Sequence, residues 1–263
     1  MKRNATAILI VILLFICLWE MTAPAKQTVK AGFPLSKGSY WVYRGRVKGR
    51  ETQENCDSTR PLEQALTWKM EVVETINRGQ IVAAVIKGYL SDLQDANSVK
   101  DGKIEMARTD YLLIRVGKEK YYLPDGDRMA AALKRLRDRT DSLDGLVEEQ
   151  YLEFDFPLSR GKVFGDPEQM SRERQEIESG NLERVGWLYV VENERRIKLQ
   201  DVRGIDPSET VTQYQLRYET NSSRREMEFV PGIGITKFHF SYHPAGCLIL
   251  ETNVRLIEYN SIN

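Results

Sequence analysis

From Thr67 to Leu123 the chain is written in runs with a period of two, and this period limits its fold more than any other feature. The runs are "TWKMEVVETI" (Thr67–Ile76), "QIVAAVIKGYL" (Gln80–Leu90), "DYLLIRVG" (Asp110–Gly117) and "KYYL" (Lys120–Leu123). β-Branched and aromatic residues at alternate positions give each run one oily side, as a half-buried strand requires. Asn77-Arg78-Gly79 and Gly117-Lys118-Glu119 are short enough to be hairpin turns, which return the chain antiparallel. The same alternation marks "GSYWVYRGRV" before them, and after them "GWLYVVENE" (Gly186–Glu194), "TVTQYQLRYET" (Thr210–Thr220), "REMEFV" (Arg225–Val230), "GITKFHFSYH" (Gly234–His243) and "CLILETNVRLIEY" (Cys247–Tyr259). Arg217, Lys237 and Arg255 interrupt these later strands, and alternation sets them on the outer face.

One segment breaks the period. In "RMAAALKRLRDR", Met129, Ala132, Leu133 and Leu136 recur at helical spacing after the turn Pro124–Asp127, while Arg128, Lys134, Arg135 and Arg137 fill the other side. "DPEQMSRERQEIESGN" opens with Asp166 and Pro167 placed as a helix start, but its apolar periodicity is weak and a loop fits as well. Long strands with one apolar face and a single clear helix predict a mainly β (α+β) protein. Its strongly curved antiparallel sheet, or half-barrel, would wrap around that helix.

The motif "FPLSKG" (Phe33–Gly38) returns as "FPLSRG" (Phe156–Gly161), and "WKMEVVE" from Trp68 is echoed by "WLYVVE" from Trp187, out of register by one residue. Two similar halves, 26–150 and 151–263, account for this, within one continuous structural unit. A strand-entry motif used twice accounts for it equally: Pro fixes φ, Gly supplies the turn, and Phe and Leu pack beneath.

Residues 1–25 read as a signal peptide, with Lys2 and Arg3, the apolar run "AILIVILLFICLW" and Ala23-Pro24-Ala25 in the expected order. About 13 apolar residues span only ~20 Å as a helix, short of a ~30 Å bilayer core. The expected location is therefore periplasmic or extracellular, the alternative being an uncleaved N-terminal anchor that would be the chain's one membrane contact. Ile16 before Cys17 does not suit lipidation. Cleavage would leave 36 basic and 37 acidic residues, so no overall field exists to recruit nucleic acid. It would also leave Cys56 and Cys247, which in an oxidising compartment form either a disulfide, closing a loop worth up to ~5 kcal/mol, or two unrelated thiols.

No catalytic, cofactor or metal signature emerges. His239 and His243 share a strand face but lie about 13 Å apart along it, too far to hold one ion. Gly232 and Gly234 in "PGIGI" lack the third glycine and following helix of a phosphate loop, and suit a bend or bulge. In "SDLQDANSVKDG", Asp92, Asp95, Asn97 and Asp101 fail the calcium-loop spacing, with Val99 and Lys100 where a ligand and a glycine belong. Trp41, Trp68, Trp187, Phe238 and Phe240 are candidates to line an apolar cavity, or are simply core.

"FPLSKGSYWVYRG", "FVPGIGITKF" (Phe229–Phe238) and the final strand "NVRLIEY" resemble a loose group of uncharacterised exported bacterial proteins. More distantly the chain is similar to the lipoprotein carriers of the bacterial envelope, whose curved sheet closes over a helix to shelter acyl chains. The resemblance implies a non-catalytic envelope protein binding a lipid or other hydrophobic ligand, or an envelope protein partner. A structural or protein-interaction module and a carboxylate-based hydrolase are the alternatives.

Overall fold

The computed structural model describes residues 32–49, 62–94, 98–100, 103–139, 141–243 and 250–262. The signal segment and the Cys56–Cys247 pair lie outside them. Alternating residues form twelve strands of one antiparallel sheet, curled into a nearly closed barrel. The first six in chain order are β1 (Tyr40–Gly49), β2 (Leu62–Arg78), β3 (Ile81–Lys87), β6 (Asp110–Val116), β7 (Lys120–Tyr122) and β8 (Leu152–Asp155). A separate small hairpin, β4 (Ser98–Lys100) and β5 (Lys103–Glu105), interrupts them. The second six are β9 (Val163–Phe164), β10 (Tyr189–Lys198), β11 (Thr210–Glu219), β12 (Ser223–Val230), β13 (Gly234–Tyr242) and β14 (Leu250–Asn260). Each set is a simple meander, and the two meet at two junctions: β1 pairs with β14 along its whole length, whereas β8 and β9 are the free ends of the sheet.

The repeated motif does the same mechanical work in both halves. Gly38 and Gly161 adopt φ of 87° and 85°, a region that glycine enters without penalty. The N–H of each donates to a valine carbonyl, Val72 or Val191, at 2.8 Å, and that valine's N–H returns to Ser39 or Lys162 at 2.9 Å. This aligns Val72 with Val191, so the structural register follows Trp68 and Trp187 and not the shared Val-Val-Glu. In both halves the strand pairing then slips, after Val72 and after Val191. The motifs are also reciprocal, since Gly32 accepts from Gly232 in a turn of the second half and Phe156 donates to Glu119 in a turn of the first.

The inner face is a continuous core in which Phe33, Trp41, Phe154, Phe156 and Phe229 pack ring on ring, Phe154 and Phe229 at 4.9 Å between centroids. The element inside the sheet is a five-residue 3-10 turn, Leu90–Gln94, which brings Leu90 and Leu93 to the core beside Tyr89 and is tied to β14 by Thr252 Oγ1 donating to Leu93 O at 3.0 Å. The main helix, α1 (Gly126–Arg137), covers the opposite face, where Ala132 and Leu136 meet Ala83, Val85, Leu112 and Ile114. Its placement follows from β3 and β6, which are buried on both faces and therefore need an outer cover, while rings already fill the interior. Arg78 donates to the carbonyls of Arg135 and Asp138 at the end of α1, satisfying groups the helix leaves unpaired. Two short helices, α2 (Pro167–Arg172) and α3 (Arg174–Ser179), cover the outer face of β10 through Met170 and Ile177.

Candidate functional site

Trp41, Trp68, Phe238 and Phe240, singled out in the sequence, are core side chains, and they do not line either of two surface grooves, the one described below or the one beside α2 and α3. Trp41 Nε1 donates to Ile233 O at 2.6 Å and Trp68 Nε1 to Gly88 O at 2.8 Å, so both indoles are spent on fixing turns. Trp187 stands apart, 45% exposed and at φ 61°, an unusual backbone for a bulky residue. Buried Arg217 holds the segment before it, donating to Leu182 O and Val185 O and pairing with Glu192 and Glu219.

His239 lies on the outer face, 3.5 Å from both Glu226 and Glu251, while His243 is exposed past the end of β13. Of the acidic loop, Asp92 turns inward to accept from Thr109 and Tyr111. Asp95, Asn97 and Asp101 lie outside the described residues. Among the described residues no three His, Cys, Asp or Glu side chains are placed to hold a metal ion.

One buried polar cluster was not visible in the sequence. Glu153 accepts from Tyr89 at 3.0 Å and from Tyr189 at 2.6 Å, and Arg225 stands 3.7 Å from it while lying over the rings of Tyr189 and Tyr218. Burial pushes the hydroxyls of Tyr89 and Tyr189 well up, so both stay protonated donors. Burial alone would lower the Arg225 guanidinium, but the groups around it, Glu153 among them, together outweigh that cost and raise it. Glu153 belongs to free-edge strand β8, while Tyr189 and Arg225 belong to the second half. Outside, Lys162 pairs with Asp155 at 3.1 Å. The unpaired junction is thus clasped from both sides, and the cluster is used as structure.

An open groove of about 780 Å³ lies on the outer face of β13, β14 and β1. Its second wall is a strap, Leu199–Ile205, that leaves the end of β10 and docks back on β14. Arg203 N donates to Ile257 O at 3.0 Å, and Tyr259 N donates to Arg203 O at 2.8 Å. The β1–β14 pairing skips Ile257, which frees its carbonyl for the strap. Gly204 is required at the contact, since a Cβ there would sit 1.9 Å from the Tyr259 carbonyl oxygen.

The charge of this groove is one-sided. Arg44, Arg255 and Lys237 face one another across neighbouring strands, Arg44 opposite Arg255 and Arg255 opposite Lys237. Among the described residues none of the three makes a salt bridge, and Glu228, the cross-strand partner of Lys237, is taken by Arg195 at 2.9 Å. Four more cations, Arg46, Lys48, Arg195 and Lys198, line the groove, against Asp201, Glu228 and Glu251. On the floor Gln213 and Thr236 are buried and hydrogen-bonded to each other at 3.2 Å, with Arg195 donating to Gln213 at 2.8 Å. Like charges directly opposite in a sheet are unfavourable, so this row suits a counter-anion.

Among solved structures the chain is similar to a Bacteroides fragilis protein described as exported with a YmcC-like fold. That match has 8% identity and a TM-score of 0.37, over 88% of this chain and 100% of the other. It is also similar to a Parabacteroides distasonis protein described as a lipoprotein, at 11% identity and a TM-score of 0.33, over 89% and 100%. No family model and no curated protein matches. The groove's own residues therefore carry the functional reading.

Proposed function

We propose that this chain is an exported, non-catalytic binding protein that holds an anionic group, phosphate or carboxylate, in the groove between the strap and β13–β14–β1. The row of Arg44, Arg255 and Lys237 carries this reading: three cations without carboxylate partners among the described residues, on adjacent strands of one sheet, at a site large enough for a small molecule. A ligand site inside the barrel has less support, because the inner face is occupied by packed rings. Export rests on the N-terminal pattern, with cleavage giving a periplasmic or extracellular protein.

Isothermal titration of the chain lacking residues 1–25 with inorganic phosphate and with citrate provides the test. Binding should weaken as salt rises and should fall at least tenfold in Arg44→Thr and Lys237→Thr. Equal heats for wild type and variants, or no binding of either anion, would refute it.

A further inference from the structure

The groove has two unlike walls. The sheet wall carries the cationic row, while the end of β10 and the start of the strap present Ile197 and Leu199, with Val202 and Leu256 buried behind them. Ile197 and Leu199 are half-buried, so each keeps apolar surface that an occupant could remove from water. A ligand that was only charged would gain nothing from that wall. A neutral apolar ligand would leave the cationic row unanswered. The volume, about 780 Å³, also exceeds what a single phosphate or carboxylate fills.

We infer that the natural occupant is an anionic amphiphile, a phosphate or carboxylate head seated on Arg44, Arg255 and Lys237 with an alkyl chain laid along Ile197 and Leu199. This rests on the groove reading above. The strap is built to keep such a wall in place: it is pinned through two backbone hydrogen bonds and the Arg203–Glu258 ion pair at 3.0 Å, and Glu258 is itself held by the Tyr40 hydroxyl at 2.8 Å. The chain would lie on the outside of the sheet, on the face opposite the aromatic core.

Three probes separate the possibilities in titrations on the chain lacking residues 1–25, each kept below its micelle concentration: octyl phosphate, inorganic phosphate and octyl maltoside. Burial of as few as two methylenes is worth about tenfold, so octyl phosphate should bind at least tenfold tighter than inorganic phosphate, and octyl maltoside far more weakly than octyl phosphate. Ile197→Thr should weaken octyl phosphate several-fold and leave inorganic phosphate unchanged. Equal affinity for octyl and inorganic phosphate would overturn the amphiphile and leave the anion site standing. Equal binding of octyl phosphate and octyl maltoside would overturn it as plain apolar adsorption. Failure of all three probes to bind would remove the groove reading and this one together.

Discussion

Replacing Arg255 by threonine should stabilise the empty protein and damage binding, and the opposing signs make it a demanding test. Arg255 faces Arg44 on one side and Lys237 on the other. With charges about 6 Å apart in a water-like dielectric, each repulsion is worth ~0.7 kcal/mol, or ~1.4 kcal/mol for both. A Debye length of ~8 Å at 0.15 M salt roughly halves that. Threonine suits a strand, so the variant should melt about 2–5 °C higher than wild type in low salt and about half as much higher at physiological salt. The lost charge-assisted contact is worth ~1.5–3 kcal/mol to a bound anion, so phosphate affinity should fall ten- to a hundredfold. Differential scanning fluorimetry across a salt series, with and without phosphate, reads both effects. A variant that melts lower in low salt, or that phosphate stabilises as much as wild type, would show that the row is neither strained nor a site.

Gly204→Ala places a Cβ against the Tyr259 carbonyl in a left-handed backbone at φ 87° and should cost about 3 kcal/mol, seen as a lower urea midpoint, with weaker anion binding as the strap lifts. Arg225→Ala leaves Glu153 buried beside protonated tyrosines and should cost ~3–5 kcal/mol, seen as a lower midpoint in the same denaturation assay. Gly161→Ala should cost ~1–2 kcal/mol from backbone strain alone, and Gly38→Ala somewhat more because its new methyl also meets Ile262, with thermal melts ranking the two. A hydrogen bond from Arg137 holds the Glu74 carboxyl below the usual carboxylate range. Its stabilisation is therefore complete above the unfolded-state pKa and is lost as pH falls through the lower folded-state value. Arg137 is largely exposed and Glu74 more than a third, so solvent screening keeps the effect small, and Glu74→Gln should slightly flatten this part of the acid limb in pH-dependent melts.

What the sequence discloses and what it hides divide along one physical line. Alternation reports which side of a strand faces a core, so the sheet, its hairpins and the helix face Met129, Ala132, Leu133 and Leu136 could be read directly. It also placed Lys237 and Arg255 outside. It could not say that they would face each other, because cross-strand partners are set by register, and Arg44 reaches Arg255 only through the pairing of the first strand with the last. Net charge misled for the same reason: a chain near neutrality concentrates seven cations in one groove because parity and register, not composition, decide where charges meet. The strap was equally hidden, since nothing in "LQDVRGI" shows that Gly204 will touch Tyr259, and the twelve-residue helix drew attention from the short turn at Leu90 that enters the core. The aromatic residues were the opposite case. Their enrichment in strands was plain, but a large ring packs a core as readily as it lines a cavity, and the pattern alone does not say that Trp41 and Phe238 are buried in the core cluster while Trp187 is exposed. A ligand site on this fold is therefore to be sought where the sheet's outer face departs from alternating acid and base, as the row of Arg44, Arg255 and Lys237 does in the groove walled by the strap.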